Sequence, residues 1–338
     1  MINIGIVGFG YWGPNLARSF AAHPDCKLLG ICEIDDARRN FAKQKYPSVH
    51  VTNDYREFLK LKNLDAVLIS TPVGTHFKLA REALVAGKDI LVEKPFTAST
   101  AEAEELIMIA EKKSRIIAVD HTFLFTGAIQ KIKEVIDSGE IGELYYIDGV
   151  RINLGLFQHD VNVIWDLAPH DISIINYLIK AEPIAVTAVG SSHTNSGYED
   201  IAYLHIEYPE KMIAHLHLNW LAPAKIRRTL IGGTKKMIVY DDMEPSEKVK
   251  IYDKGVLVHS ALDSNSIHKI FVDYRTGDMI APKISNKEAL SVEADHFITC
   301  VRDRVRPLVD GQEGLKVVKV LEAAQESISN CGRRILIS

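Results

Sequence analysis

The sequence predicts an α/β protein of two domains: a doubly wound parallel sheet, then an α+β domain whose sheet is open and mostly antiparallel. Three observations predict it. The first third alternates short, almost wholly apolar runs with amphipathic stretches, the rhythm of parallel strands buried on both faces and joined by helices. After about Asp120 that rhythm gives way to strands with little helix between them. The length, 338 residues, is about twice the ~150 of an ordinary domain, and the change of rhythm divides the chain into 1–121 and 122–338.

In chain order, strands are expected at Ile2–Val7, Lys27–Cys32, Asp65–Ser70, Lys88–Val92 and Arg115–Val119. Helices are expected between them at Pro14–Ala22, Asp36–Lys45, His76–Ala86 and Ala101–Lys112. In the second domain a helix at Gly127–Asp137 and a strand at Leu144–Asn153 lead to a helix beginning near Asp166. Strands follow from Ile184 to His259, and Leu290–Arg302 and Glu313–Ser329 read as closing helices, punctuated by Pro307 and Gly311.

Composition narrows the partners. Lys and Arg number 40 against 44 Asp and Glu, without a long run of either sign, so the footprint of a nucleic-acid binder is missing. Cys26, Cys32, Cys300 and Cys331 are scattered and form no C-x-x-C pair, which argues against a disulfide framework or a zinc ribbon and for the reducing cytoplasm. Met1 leads straight into an apolar strand without a basic leader, and no apolar stretch nears the ~18 residues that span a bilayer, so neither an export signal nor a membrane anchor is expected.

Gly8-Phe9-Gly10-Tyr11-Trp12-Gly13 matches G-x-G-x-x-G, and its context is specific: it follows an apolar strand and opens a helix with Pro14 in the first turn. The glycines permit a tight turn and close approach of backbone to a pyrophosphate, which the free N–H groups of the helix start would hold. Glu33 closes the next strand, where an acid accepts hydrogen bonds from ribose hydroxyls and repels a 2′-phosphate. The expected cofactor is therefore NAD rather than NADP, with Arg38 and Arg39 as the features that would favour NADP.

Two further segments lie after strands of the same sheet, Ser70-Thr71-Pro72 with His76, and Glu93-Lys94-Pro95; a third, Asp166-Leu167-Ala168-Pro169-His170, lies in the second domain. With the glycine motif they resemble the glucose-fructose oxidoreductase/inositol dehydrogenase family, often called Gfo/Idh/MocA, over essentially the whole chain. The resemblance implies a Rossmann domain and a second domain whose open sheet covers the cofactor on one side and forms subunit contacts on the other, in a dimer or tetramer. It implies catalytic roles for Lys94, Asp166 and His170, and cofactor-side positions for Thr71, Pro72 and Glu93. Where the family often has a glycine between the aspartate and the histidine, this chain has Ala168-Pro169, a stiffer turn.

The chemistry suits those residues. Oxidising a secondary alcohol needs a base that is neutral near pH 7, and His170 is the candidate. Were the helix to begin at Asp166, the two residues would share a face four apart, and the positive helix start would keep the imidazole neutral. Asp166 would also be an ordinary N-cap there, a reading weakened by Pro169, which has no N–H to offer it. Lys94, at the C-terminal edge of the sheet, would stabilise a developing alkoxide.

His121, Phe123 and Asn153 are pocket candidates, with core packing as their alternative. His215, His217 and Asn219 alternate on one strand face, and H-x-H can ligate zinc, but no third ligand is evident and no metal is expected. Trp220, Lys225 and Arg227 resemble the branch of the family that acts on nucleotide-activated sugars, an aromatic ring and cations suiting a base and a diphosphate; a charge-protected edge strand is the other reading. The expected activity is NAD-dependent oxidation of C3 in a UDP-N-acetylhexosamine or its uronic acid. The alternatives are a free-sugar or inositol dehydrogenase and a cofactor-binding sugar sensor without turnover, the last disfavoured by the retention of Lys94 and His170.

Overall fold

A computed structural model of the chain describes residues 1–155, 160–194, 197–259 and 271–337. The chain forms two compact units, Met1–Thr126 with Lys287–Glu322, and Gly127–Asn286 with Ala323–Ser338. The division at 121/122 put the whole tail with the second domain; in the structure residues Lys287–Glu322 pack with the first unit.

The first unit is a parallel sheet of six strands, β1 (Ile2–Val7), β2 (Cys26–Cys32), β3 (His50–Thr52), β4 (Ala66–Ile69), β5 (Asp89–Glu93) and β6 (Ile117–Asp120), in the order β3-β2-β1-β4-β5-β6. This is the dinucleotide-binding order, whose reversal between β1 and β4 leaves a crevice at the carboxyl ends of the strands. The connections carry α1 (Gly13–Ala21), α2 (Asp36–Lys45), α3 (Tyr55–Leu59), α4 (Val73–Val85) and α5 (Thr100–Lys113). Side-chain caps start several of them: Asp35 accepts from Arg38 N–H, Asp54 from Arg56 and Glu57, and Ser99 from Glu102. The central strands β1, β4, β5 and β6 are buried on both faces along most of their length, as their unbroken apolar runs require, while the short β3 at the edge is not.

The returning tail supplies α8 (Ala289–Asp303) and the first part of α9 (Gly311–Ser329). Leu290, Ala294, Phe297, Ile298 and Val301 fall at helical spacing on one face of α8 and join the core of Ile4, Ile6, Leu16, Phe20 and Leu68. Phe297 meets Phe20 edge-on, ring centroids 6.0 Å apart.

The second unit holds α6 (Gly127–Asp137), α7 (Val163–Leu178) and a nine-stranded sheet. Its strands are β7 (Leu144–Leu154), β8 (Ala185–Ser191), β9 (Ile201–Glu207), β10 (Ile213–Asn219), β11 (Leu221–Gly233), β12 (Met237–Asp241), β13 (Val249–Tyr252), β16 (Met279–Ile280) and β17 (Ile335–Leu336). A separate hairpin pairs β14 (Gly255–His259) with β15 (Phe271–Arg275). All neighbours in the large sheet run antiparallel except β7 and β10. One face is apolar and buried, Ala202, Leu204, Ile206, Ala214, Leu216 and Leu218 alternating with partly exposed Tyr203, His205, His215 and His217.

One ion pair lies within this buried layer. Arg151 on β7 donates from Nε and Nη2 to both carboxylate oxygens of Asp171 on α7, at 2.7 and 2.9 Å, and both residues are buried. Arg151→Met would strand the Asp171 carboxylate without its counter-charge. The expected cost is about 3–5 kcal/mol, read from the urea midpoint of unfolding.

Candidate active site

In the first unit the glycine motif joins β1 to α1, and two of its glycines are obligatory. Gly8 has φ +89°, and a Cβ on it would lie 2.6 Å from the Ser70 carbonyl oxygen; a Cβ on Gly13 would lie 2.2 Å from the Gly8 carbonyl oxygen. Ser70 Oγ donates to that Gly8 carbonyl at 2.9 Å, fastening the turn to the end of β4. Helix α1 has Pro14 in its first turn and no side-chain cap; the Asn15 and Leu16 N–H groups turn back to the Trp12 carbonyl, which leaves the N–H groups of the glycine turn up to Gly13 for an anion such as a diphosphate. Tyr11 is 83% exposed beside them.

Glu33 stands just past the end of β2, 5% exposed, its carboxylate accepting the Phe9 N–H at 2.5 Å and the Asp35 N–H at 2.9 Å. A buried carboxylate fixed in this way fits ribose hydroxyls and disfavours a 2′-phosphate. Arg39 is occupied elsewhere, donating to the carbonyls of Glu33 and Ile34 and pairing with Asp36. Arg38 reaches the glycine turn itself, Nη1 lying 3.2 Å from where a Cβ of Gly10 would be.

The other two cofactor-side segments are stapled together. His76 is buried, with Nε2 2.7 Å from the Thr71 carbonyl oxygen and Nδ1 2.9 Å from that of Pro95. It ties the Ser70-Thr71-Pro72 turn to the Glu93-Lys94-Pro95 turn and acts on the site through them. Thr71 Oγ1 shares a hydrogen bond with Thr75 Oγ1 at 2.7 Å, and the exposed Pro72 precedes α4. Lys94 leaves β5 half-buried, before a cis peptide bond to Pro95. Glu93 lies opposite Asp120 in the β5–β6 register.

His121 follows β6 and is 1% exposed, neither ring nitrogen having a hydrogen-bond partner among the described residues. Burial pushes it down to about 4, so the ring is neutral at physiological pH. Phe123 is half-buried in the one-turn helix Thr122–Phe125.

In the second unit the structure corrects the start of the helix that carries Asp166 and His170. It begins at Val163, capped by Asn162, whose side chain accepts the N–H groups of Ile164 and Trp165. Pro169 thus sits inside the helix and cannot bond back to the Trp165 carbonyl. One alternative and one expectation fall with this. Asp166 is not the cap, and His170, two turns into the helix, gains little from the positive end, whose influence fades within the first turn. Their common face survives, since both lie in α7 four residues apart.

Asp166 is held by Trp220, whose indole N–H donates to Oδ2 at 3.0 Å. Trp220 is 1% exposed, so its ring is a core side chain that fixes a carboxylate, not a platform for a nucleobase as its position in sequence suggested. Trp220→Phe would remove the indole donor to Asp166 and leave a smaller ring in the core. The expected results are about tenfold slower turnover at unchanged NAD affinity and roughly 2 kcal/mol lower stability, checked by steady-state kinetics and thermal unfolding. Asn153, on β7, is half-buried beside Gly155 and Trp220.

Lys225 is exposed within the bulge that separates Leu221 from Ile226 in β11. Arg227 pairs with Asp242 at 3.5 Å, and Lys248 pairs with the same carboxylate at 2.9 Å. His215 lies 3.4 Å from Asp148, and the ring of His217 stacks on Tyr203 at 4.5 Å. Among the described residues no three metal-ligating side chains come together.

Two family models match this chain, "Oxidoreductase family, NAD-binding Rossmann fold" over residues 2–121 and "GFO/IDH/MocA C-terminal domain" over residues 129–239. The chain belongs to the GFO/IDH/MocA oxidoreductase family. This oxidoreductase uses NAD, in agreement with Glu33 and the glycine turn. Among its relatives is the UDP-N-acetylglucosamine 3-dehydrogenase of Acidithiobacillus ferrooxidans, 26% identical over 93% of each chain. A solved structure of that enzyme matches with a TM-score of 0.81 at 24% identity, covering 97% of this chain and 98% of its own. The NAD-dependent scyllo-inositol 2-dehydrogenase of Bacillus subtilis is 28% identical over 98% of this chain and 93% of its own. GenD2 from gentamicin A biosynthesis, solved in complex with NAD, shares the fold with a TM-score of 0.83 at 21% identity, covering all of this chain and 96% of its own.

Proposed function

We propose that this oxidoreductase oxidises a ring hydroxyl of a nucleotide-activated sugar, C3 of a UDP-N-acetylhexosamine or its uronic acid, with NAD as acceptor. The observation that carries the reading is the face of α7 on which Asp166, fixed by Trp220, and His170 stand together. Bound NAD supplies the hydride acceptor. His170 takes the hydroxyl proton, Asp166 orients the substrate or the imidazole, and the Lys94 ammonium stabilises oxygen as negative charge develops on it. The choice of sugar is supported by similarity to a UDP-N-acetylglucosamine 3-dehydrogenase along nearly its whole length and by the cations Lys225 and Arg227 on β11.

A specific observation favours inositol or a free sugar as the second reading: with Trp220 buried, the aromatic partner proposed for a nucleobase is gone. NADH formation across UDP-sugars, free sugars and inositols separates the two. Turnover of UDP-N-acetylglucosamine or its uronic acid supports the first reading, and turnover of inositols alone replaces it with the second. Turnover of nothing in the panel would favour a sensor.

We also infer a dimer or tetramer in the cytoplasm, assembled through the open face of the large sheet. Val189, Tyr203 and Ile213 expose 52%, 41% and 39% of their surface there, with Val189 and Tyr203 directly opposite each other across β8 and β9. Tyr203→Lys is expected to lower the mass measured by light scattering.

A further inference from the structure

Beneath the glycine turn lies a polar cluster that the reaction as derived does not use. Trp12, inside the motif, donates its indole N–H to Asp120 Oδ2 at 2.7 Å, and Thr122 donates its hydroxyl to Asp120 Oδ1 at 2.5 Å. Asp120, at the end of β6, is 2% exposed. Against it, from α8, stands Glu293, also 2% exposed, whose two oxygens have no hydrogen-bond partner of ordinary geometry. All four residues belong to the first unit.

The protonation of the pair follows from this setting. Asp120 accepts two donors, the Trp12 indole N–H and the Thr122 hydroxyl. The one donor near Glu293 is the Thr122 hydroxyl, whose proton already goes to Asp120, and Glu293 faces carboxylates at Asp120 and Glu93, so an anion there would be buried, poorly solvated and repelled. Burial first, and then Asp120, push it well above the usual carboxylate range. The titratable groups that α1 and the turn after it bring to α8 go elsewhere: Arg18 pairs with Glu288, and His23 lies 3.1 Å from Asp295, while β1 has no titratable side chain. A neutral carboxylic acid has one proton to give, and Asp120 is the carboxylate beside it.

We propose that Glu293 is a positioning residue of the dinucleotide site: as a carboxylic acid it donates its proton to Asp120, which in turn anchors the Trp12 indole and with it the glycine turn. Asp120 thereby gains a third donor, and a tail helix remote in sequence braces the loop that holds the diphosphate. The inference rests on the NAD site and is independent of the sugar, so cofactor binding alone tests it.

Calorimetric titration of the full chain with NAD+ is the experiment, with thermal unfolding run on every variant. Glu293→Gln still offers a donor to Asp120 and is expected to bind within about twofold of wild type. Glu293→Met keeps the length without the donor and is expected to bind about tenfold more weakly, as is Trp12→Phe, which keeps a ring without the N–H. Because both act through Asp120, the double variant is expected to lose little more than either single one. Its indole proton resonance, assigned by its absence in Trp12→Phe, is expected to move in Glu293→Met and to stay in Glu293→Gln. Wild-type affinity in folded Trp12→Phe, or Gln failing as badly as Met, overturns the proposal. Should Glu293→Met not fold, the Gln and Phe variants decide it alone. Wild type failing to bind NAD+ would instead count against the cofactor site.

Discussion

Lys94→Ala and His170→Ala are each expected to lower kcat by about a hundredfold to ten-thousandfold, the range over which positioned acid–base and charge-stabilising groups act. The two should separate in pH dependence. With His170 as the base, the wild-type rate rises as its imidazole loses its proton and then levels, and His170→Ala removes that limb while Lys94→Ala keeps it. NAD+ binding should survive in His170→Ala, because the cradle of the dinucleotide lies wholly in the first unit. Equal rates in wild type and both variants would remove these residues from the chemistry.

Gly13→Ala is expected to weaken NAD+ binding by more than about a hundredfold while the protein stays folded. Its methyl would lie 2.2 Å from the Gly8 carbonyl oxygen, a backbone atom that no side-chain rotation can move aside. Relief requires shifting either the turn or the start of α1, and overpacking of this kind costs about 1–3 kcal/mol even in a core free to adjust. Here the displaced atoms are those that would cradle a diphosphate, so the loss falls on affinity. Calorimetric titration with NAD+ checks it, with circular dichroism reporting the fold.

What could be read from the sequence was local and periodic. The five longer strands of the first sheet stand out as unbroken apolar runs, α2 and α6 have a clear helical period, and Gly8, Gly13 and Glu33 sit at fixed offsets from a strand, which made the cofactor legible. Strand His50–Thr52 and helix Tyr55–Leu59 went unread because three and five residues are too short to establish a period. The helix of Asp166 was misplaced because Pro169 looks like a first-turn proline, and Asn162, its true cap, follows a stretch without periodicity.

The supports of the site were not legible at all. Asp166 meets Trp220 across 54 positions and Trp12 meets Asp120 across 108, contacts that only the completed fold brings about. Glu293 lies within a helix recognised for its apolar face, where a glutamate reads as solvated surface. Its burial follows from the tail's return to the first unit. Arg151 likewise alternates with apolar residues of β7, and only Asp171 on the facing helix explains a cation in that layer.

The most direct test of the central claim follows one atom. UDP-N-acetylglucosamine carrying deuterium at C3, incubated with the protein and NAD+, is expected to give NADH that has gained that deuterium and a sugar that has lost it. Unlabelled NADH, or a turned-over sugar that keeps its C3 deuterium, would contradict the account.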